Sequence, residues 1–319
     1  MKKTIAMLLA GMMLAGALTA CGGSSGSSAS NAEPAKEETT EAAADTGAAG
    51  TGEAAVAADA ASTTQAAAPA EDAGRTFTVG FDAEYPPYGY KDEASGDYTG
   101  FDLELAEELC RRRGWTLKKQ PIDWDSKDME INSGTIDCLW NGMTYTGREE
   151  DYTWSEPYVD NSIVIAVNAD SDIQTKADLA GKNVVAQAAS SADTALVNDP
   201  GDGSNDENLK LRESFASYET IKDYNDAFMN MNAGVYDAIA VDIGVAQYQL
   251  AANEGKYRIL DEPLSTEQYA IAFAKGNTEL RDMVQETLDE MAADGTVDEI
   301  VAGYAEYNLP EMLIIGKDK

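Results

Sequence analysis

Two short stretches, one in each half of the chain, constrain the fold more than any other feature. Asn132 to Gly142 (NSGTIDCLWNG) and Asn232 to Asp242 (NAGVYDAIAVD) share one order: helix end, glycine, two residues, aspartate, apolar strand, polar exit. A repeated unit of this kind implies two lobes of similar α/β build with their strand ends facing each other, although so common a turn can also match by coincidence.

The first copy leads into Asn141 to Tyr158, NGMTYTGREEDYTWSEPY. IDCLW before it reads as a buried strand bounded by glycines. It delivers a hydroxyl (Thr144) and a guanidinium (Arg148) at its exit. Ligands in open α/β sheets sit outside the carboxyl ends of strands, and an arginine there can grip a carboxylate with two bonds. The same arginine could instead pair on the surface with Glu149 or Glu150, a contact worth little.

Composition removes several functions. The 319-residue chain has no histidine, which excludes histidine-based acid–base and nucleophilic catalysis and most imidazole metal sites. A net charge of -34 leaves nothing to neutralise nucleic-acid phosphates. Asp199 to Glu207 is rich in oxygen donors but lacks EF-hand spacing, so it reads as a solvated loop and no metal is expected. Nothing in the chain calls for a cofactor.

Residues 1–21 read as a signal peptide: Lys2 and Lys3 precede an apolar run that is short for a membrane span. It ends in Leu18-Thr19-Ala20-Cys21, which resembles a lipobox and implies lipidation at Cys21. Residues 22–74, without aromatics, cannot bury enough surface to order and read as a disordered tether.

Ordered structure begins near Thr76. Phe77, Val79 and Phe81 alternate in a strand that ends at Asp82-Ala83-Glu84-Tyr85-Pro86-Pro87, a loop. A helix follows with Asp102 as its expected N-cap and Gly114 as its stop. A second strand, 116–122, ends at Asp123-Trp124-Asp125. An exposed aromatic at such a strand end favours a contact surface over plain core. Further strands are expected at 163–167, 183–187 and 268–274, with helices opening at Ser190–Ser191, at Glu279 and near Val297. Strands alternating with helices predict a mostly parallel sheet. Cys110 and Cys138 fit either a disulfide, which an exported protein permits, or two buried thiols, the reading favoured here.

Three runs carry a resemblance. GFDAEYPPYGYKDEASGDYTGFDLELAEELCRRRGW, INSGTIDCLWNGMTYTGREEDYTWSEPY and DLAGKNVVAQAASSADTAL resemble the family 3 solute-binding proteins of polar amino-acid ABC transporters, across residues 76–310. The resemblance implies a two-lobed periplasmic-binding-protein type II fold with two chain crossings. Lobe 1 would span 76–164 plus 269–316, and lobe 2 169–265. It also implies an amino-acid ligand, a membrane permease as partner and a monomeric receptor held to the membrane by its lipid.

Carried over by residue, Arg148 and Thr144 resemble the grip on the α-carboxylate, joined by the backbone N–H groups of Ser190 and Ser191 at a helix start. Asp242, with the Gly142 carbonyl, resembles the α-ammonium partner. Asp82, Tyr85 and Trp124 resemble the side-chain pocket. Only Gly147 separates Thr146 from Arg148, where the family commonly has two residues. Ala189 replaces a glycine before the serine pair.

Arg148 is the only cation this reading finds in the site, so an acidic side chain is expected to be rejected by Asp82. Cationic side chains rank first and amides close behind. The competing functions are an enzyme on the same fold, with Glu84 the one acid to nominate, and a sensory module.

Overall fold

A computed structural model of the chain describes residues 72–317. The signal peptide, Cys21 and all but the last three residues of the 22–74 segment lie outside these residues.

The first sheet and its flanking elements come mostly from the first half of the described chain. In order these are β1 (Thr76–Phe81), β2 (Glu84–Tyr85), β3 (Gly89–Lys91), β4 (Tyr98–Thr99), α1 (Phe101–Arg113), β5 (Thr116–Pro121), α2 (Lys127–Ser133), β6 (Cys138–Leu139) and β7 (Thr153–Trp154). The chain then forms β8 (Val159–Asn168), β9 (Asn183–Gln187), α3 (Ser191–Val197), α4 (Asp206–Glu213), β10 (Ser217–Ile221), α5 (Tyr224–Asn232), β11 (Ala238–Asp242), α6 (Ile243–Ala252), β12 (Tyr257–Ile259) and β13 (Ser265–Tyr269). It returns to the first sheet through β14 (Ala272–Phe273) and closes with α7 (Thr278–Ala293), α8 (Thr296–Ala302) and α9 (Leu309–Met312).

The sheets have matching orders, β5-β1-β6-β14-β7 and β10-β9-β11-β8-β12. β1 runs parallel to β5 and β6, and β9 parallel to β10 and β11. The repeat is real, and its register is a hundred residues. Gly134 and Gly234 both take left-handed φ of 76° after their helices. Asp137 and Asp237 do the same work. Each backbone N–H donates at 2.8 Å to the carbonyl of Thr78 or Asn183, and each carboxylate accepts the returning N–H of that residue at 2.7 Å. The aspartate therefore locks the incoming strand to the sheet's first parallel strand, which explains why it recurs.

The long strand β8 belongs to both bodies. Its later part pairs with β11, while Val159 to Ile163 pairs with β13 from Tyr269 back to Ser265. The two chain crossings thus lie side by side as an antiparallel pair.

Two expectations change. Asp102 does not cap α1; Gly100 stands there and Asp102 is fully buried in the first turn. Its Oδ2 accepts the Gly142 N–H at 2.6 Å and the Tyr158 hydroxyl at 2.8 Å. It therefore ties the helix to the exit of β6. Cys110 and Cys138 are free buried thiols, consistent with a core large enough to stand unstapled.

Candidate ligand-binding site

The carboxyl ends of equivalent strands meet between the lobes. Gln187 at the end of β9 donates through Nε2 to Asp82 Oδ2, just past β1, at 2.5 Å. Farther out, Lys222 pairs with Asp123 at 2.6 Å, and Asn225 donates to Glu84 at 2.5 Å. The lobes are closed on each other. Behind these ties lies a cavity of about 10 Å³ lined by Tyr85, Trp124, Asn141, Gly142, Thr144, Arg148, Gln187, Ser190, Ser191 and Asp242. That is about the room of one water and far below the size of a small-molecule site.

Eight of the nine sequence-predicted residues line this cavity. Asp82 does not; it borders the wider cleft mouth, together with Glu84, Trp124 and Lys222. Burial raises the Asp82 carboxyl to about 6, although the Glu84 N–H and Gln187 amide it accepts partly oppose the shift.

Arg148 reaches the cavity through the turn after Thr144. Among the described residues its guanidinium has no carboxylate partner, and its polar side-chain contact is Nη1 to Met143 Sδ at 3.8 Å. The surface pairing with Glu149 or Glu150 does not form. The guanidinium is half-buried at the cavity wall, where an arriving anion would find an unpaired cation.

Gly142 is required by space as well as by its φ of 57°. A Cβ there would meet Tyr269 Cε2 at 3.0 Å and Tyr85 Cε1 at 3.1 Å. Ser190 differs from expectation: its N–H already donates to the Gln187 carbonyl at 3.3 Å. Its hydroxyl caps α3 by accepting the Asp193 N–H. The Ser191 hydroxyl instead donates toward Asp242 Oδ1 and Glu267 Oε1, 3.5 and 3.1 Å away. Ala189, in the glycine position, holds a left-handed φ of 57°.

Asp242 is 1 % exposed. Its Oδ1 accepts the Tyr269 hydroxyl at 2.6 Å and Asn161 Nδ2 at 2.8 Å. Its Oδ2 is buried with no partner. Burial pushes this carboxyl upward.

Sequence reasoning missed two charged groups. Glu267, on crossing strand β13, is 9 % exposed and accepts through Oε1 from Thr144, Asn161 and Ser191 at 2.9, 2.8 and 3.1 Å. Burial and the neighbouring Asp242 charge raise its carboxyl as well.

Lys127 is the second. It is 5 % exposed, lies 5.3 Å over the Trp124 ring, and donates to the Ala189 carbonyl of the other lobe at 3.1 Å. Desolvation, then the Arg148 charge, lowers it to about 8. The expectation that Arg148 is the only cation near the site is therefore corrected. Lys127 sits in the acidic run DWDSKDME, which reads as a solvated helix start, yet it is buried against Trp124 and the Ala189 carbonyl.

Two α/β lobes joined by paired crossing strands, with a polar cavity between their strand ends, define a two-lobed binding protein of the periplasmic-binding-protein type II fold. Residues 77–307 match the model of bacterial extracellular solute-binding proteins, family 3, and the chain belongs to that family. Among curated relatives, the L-cystine-binding protein TcyA of Bacillus subtilis is 28% identical over 70% of this chain and 78% of its own length. Among solved structures, Tv2483 bound to L-arginine superposes with a TM-score of 0.68 at 26% identity, covering 76% of this chain and 95% of that one. A substrate-binding protein of an ABC uptake transporter from Streptococcus pneumoniae, with bound histidine, gives 0.65 at 31% identity, over 72% and 92%.

Proposed function

We propose that this protein is an extracytoplasmic receptor that closes on one polar amino acid and delivers it to an ABC importer. The observation that carries the reading is a complementary pair of unsatisfied charges around one enclosed cavity. The Arg148 guanidinium comes from the first lobe without a carboxylate, and the Asp242 carboxylate from the second with one bare oxygen. A zwitterion supplies both missing partners at once, so ligand favours the closed state over the open one.

In this reading Arg148 and the Ser191 backbone N–H hold the α-carboxylate, and the Thr144 hydroxyl turns to it from Glu267. Asp242 and the Gly142 carbonyl hold the α-ammonium. Tyr85 and Trp124 flank the side chain, whose end meets Asp82. Ser190 contributes by capping α3.

The side chain is one that donates hydrogen bonds, cationic or amide, because Asp82 can only accept when ionised. The Lys127 charge against Trp124 reduces the gain a guanidinium or ammonium would make on that ring, which brings amides nearer to cations. The relatives named for cystine, arginine and histidine carry ligands with donor groups.

The chain works as a monomer, tied to the membrane through lipidated Cys21 and handing its ligand to a membrane permease. No helix among the described residues is long and apolar enough to cross a membrane.

A thermal-shift panel of the twenty amino acids, on protein stripped of ligand by unfolding and refolded, tests the reading. Arginine, lysine, glutamine or another donor-bearing amino acid should raise the melting temperature. A large shift with glutamate alone would overturn the ligand class. An added amino acid recovered chemically changed after incubation would favour an enzyme.

A further inference from the structure

Asp242 lines the cavity, and a second carboxylate, Glu267, lies behind the wall against Thr144, Ser191 and Asn161, where the proposed ligand offers one ammonium. Asp242 on β11 and Glu267 on β13 share a single donor, Asn161 Nδ2, at 2.8 Å each. The Ser191 hydroxyl stands near both, 3.5 Å from Asp242 and 3.1 Å from Glu267. Neither forms an ion pair among the described residues. The bare Asp242 Oδ2 is buried and belongs to a residue of the cavity wall.

Two like charges this close in a dry site cannot both be kept without a cation. The groups facing them supply none directly. Tyr269 on β13, Tyr85 on β2, Tyr88 between β2 and β3, and Tyr224 on α5 are all held protonated by burial. Asn161 on β8, Thr144 past β6 and Ser191 on α3 are neutral donors. Arg148 lines another wall of the cavity. Lys127 on α2 spends its amine on the Ala189 carbonyl.

We propose that Glu267 is a second carboxylate coupled to the ligand site through Asn161 and Asp242, that it and Asp242 hold one proton between them before ligand binds, and that this proton is exchanged for the ligand's ammonium group. In the exchange the carboxyl O–H bond breaks and its proton passes to buffer. The incoming ammonium, already protonated, pairs with the bare Asp242 Oδ2 and its charge replaces that of the proton beside Glu267. Atoms and charge balance, with one ammonium in and one proton out.

The direction with pH follows. The empty site binds a proton that the complex does not, so affinity rises with pH through the raised titration of the pair and levels off once the proton is gone. The inference rests on the amino-acid-binding reading and adds to it a residue and a linked proton.

Calorimetric titration of the full chain with L-arginine, L-glutamine and L-cystine, at about pH 6.5 in two buffers of different ionisation enthalpy, tests it. Release should approach one proton per ligand, and the association constant should rise by up to about tenfold per pH unit between about pH 6 and 7.5. Glu267→Gln, checked for an intact melting transition, should lose both the release and the pH slope while still binding. Infrared difference spectra of the unsubstituted protein should show a protonated carboxyl band that disappears on ligand addition.

Binding with no proton released, or release unchanged in Glu267→Gln, would overturn the proton exchange and leave the amino-acid reading standing. No heat with any of the three, and no shift in the twenty-member panel, would overturn both.

Discussion

The α2–β6 unit and the α5–β11 unit share a backbone and differ in what they present to the cleft. A hundred residues apart, Trp124 stands where Tyr224 stands, Lys127 where Ala227 stands, and Gly142 where Asp242 stands. The glycine, aspartate and helix register that build each fold unit are the same in both copies. The groups at the strand exits have diverged toward opposite charge. One copy ends in a bare glycine with Arg148 beyond it; the other ends in a carboxylate. A cleft made of two like copies would face a ligand with one sign of charge, whereas this pair faces a zwitterion.

Removing the charge on the first side should have the largest effect. Arg148→Ala is expected to weaken amino-acid binding by about 2–5 kcal/mol, enough to turn micromolar affinity into millimolar, with the fold intact. Calorimetry reads this, and unchanged affinity would mean that the first copy does not hold the ligand.

Lys127→Ala makes the two helices alike at that position. It removes the bond from α2 to the Ala189 carbonyl, and about tenfold to a hundredfold in affinity is expected to go with it, since a hydrogen bond to a charged donor is worth about 1.5–3 kcal/mol. Small-angle scattering should show a larger ligand-free radius of gyration. An unchanged profile would reduce Lys127 to a local partner of Trp124.

Much of this asymmetry was legible in the chain before the structure. Local rules betray Gly134, Asp137, Gly234 and Asp237, because a helix stop and a strand entry are written within a few residues. Arg148, Thr144 and Asp242 sit at strand exits, where position alone suggests ligand contact.

Glu267 and Lys127 were not legible because their burial comes from distant parts of the chain. STEQY looks like a polar edge strand until β8 covers it. Lys127 looks solvated until the Ala189 carbonyl meets it. Asp102 was misplaced for a related reason. Its partner, the Gly142 N–H, lies forty residues away, and an aspartate at a helix start fits a cap equally well from sequence.

A subtler contrast lies in pH. Burial raises Asp102, in the first lobe, to about 7 and Asp82 at the cleft to about 6. The folded state therefore holds protons that the unfolded state releases at lower pH. Stability from these groups is fully present below about pH 4 and lost as pH rises through about 6 and 7. The melting temperature of ligand-free protein should fall across that window, and Asp102→Asn should flatten part of the fall. A melting temperature that rises from about pH 5 to 7 would contradict the assignment.

The smallest effect is expected at Ala189. Its left-handed φ costs an alanine about 1 kcal/mol relative to glycine, so Ala189→Gly should raise the melting temperature by a few degrees at most. Equal or lower stability would show that the turn is held without strain.

The central claim is that opposite charges from the two copies meet the two ends of one amino acid. The most direct test is a calorimetric comparison of whichever amino acid stabilises the protein best with its decarboxylated and its deaminated counterparts. Each analogue leaves one buried charge unpaired, so each should bind at least about a hundredfold more weakly than the parent. If either analogue bound within about threefold of the parent, the cleft would be gripping one end of its ligand only, and the account would be wrong.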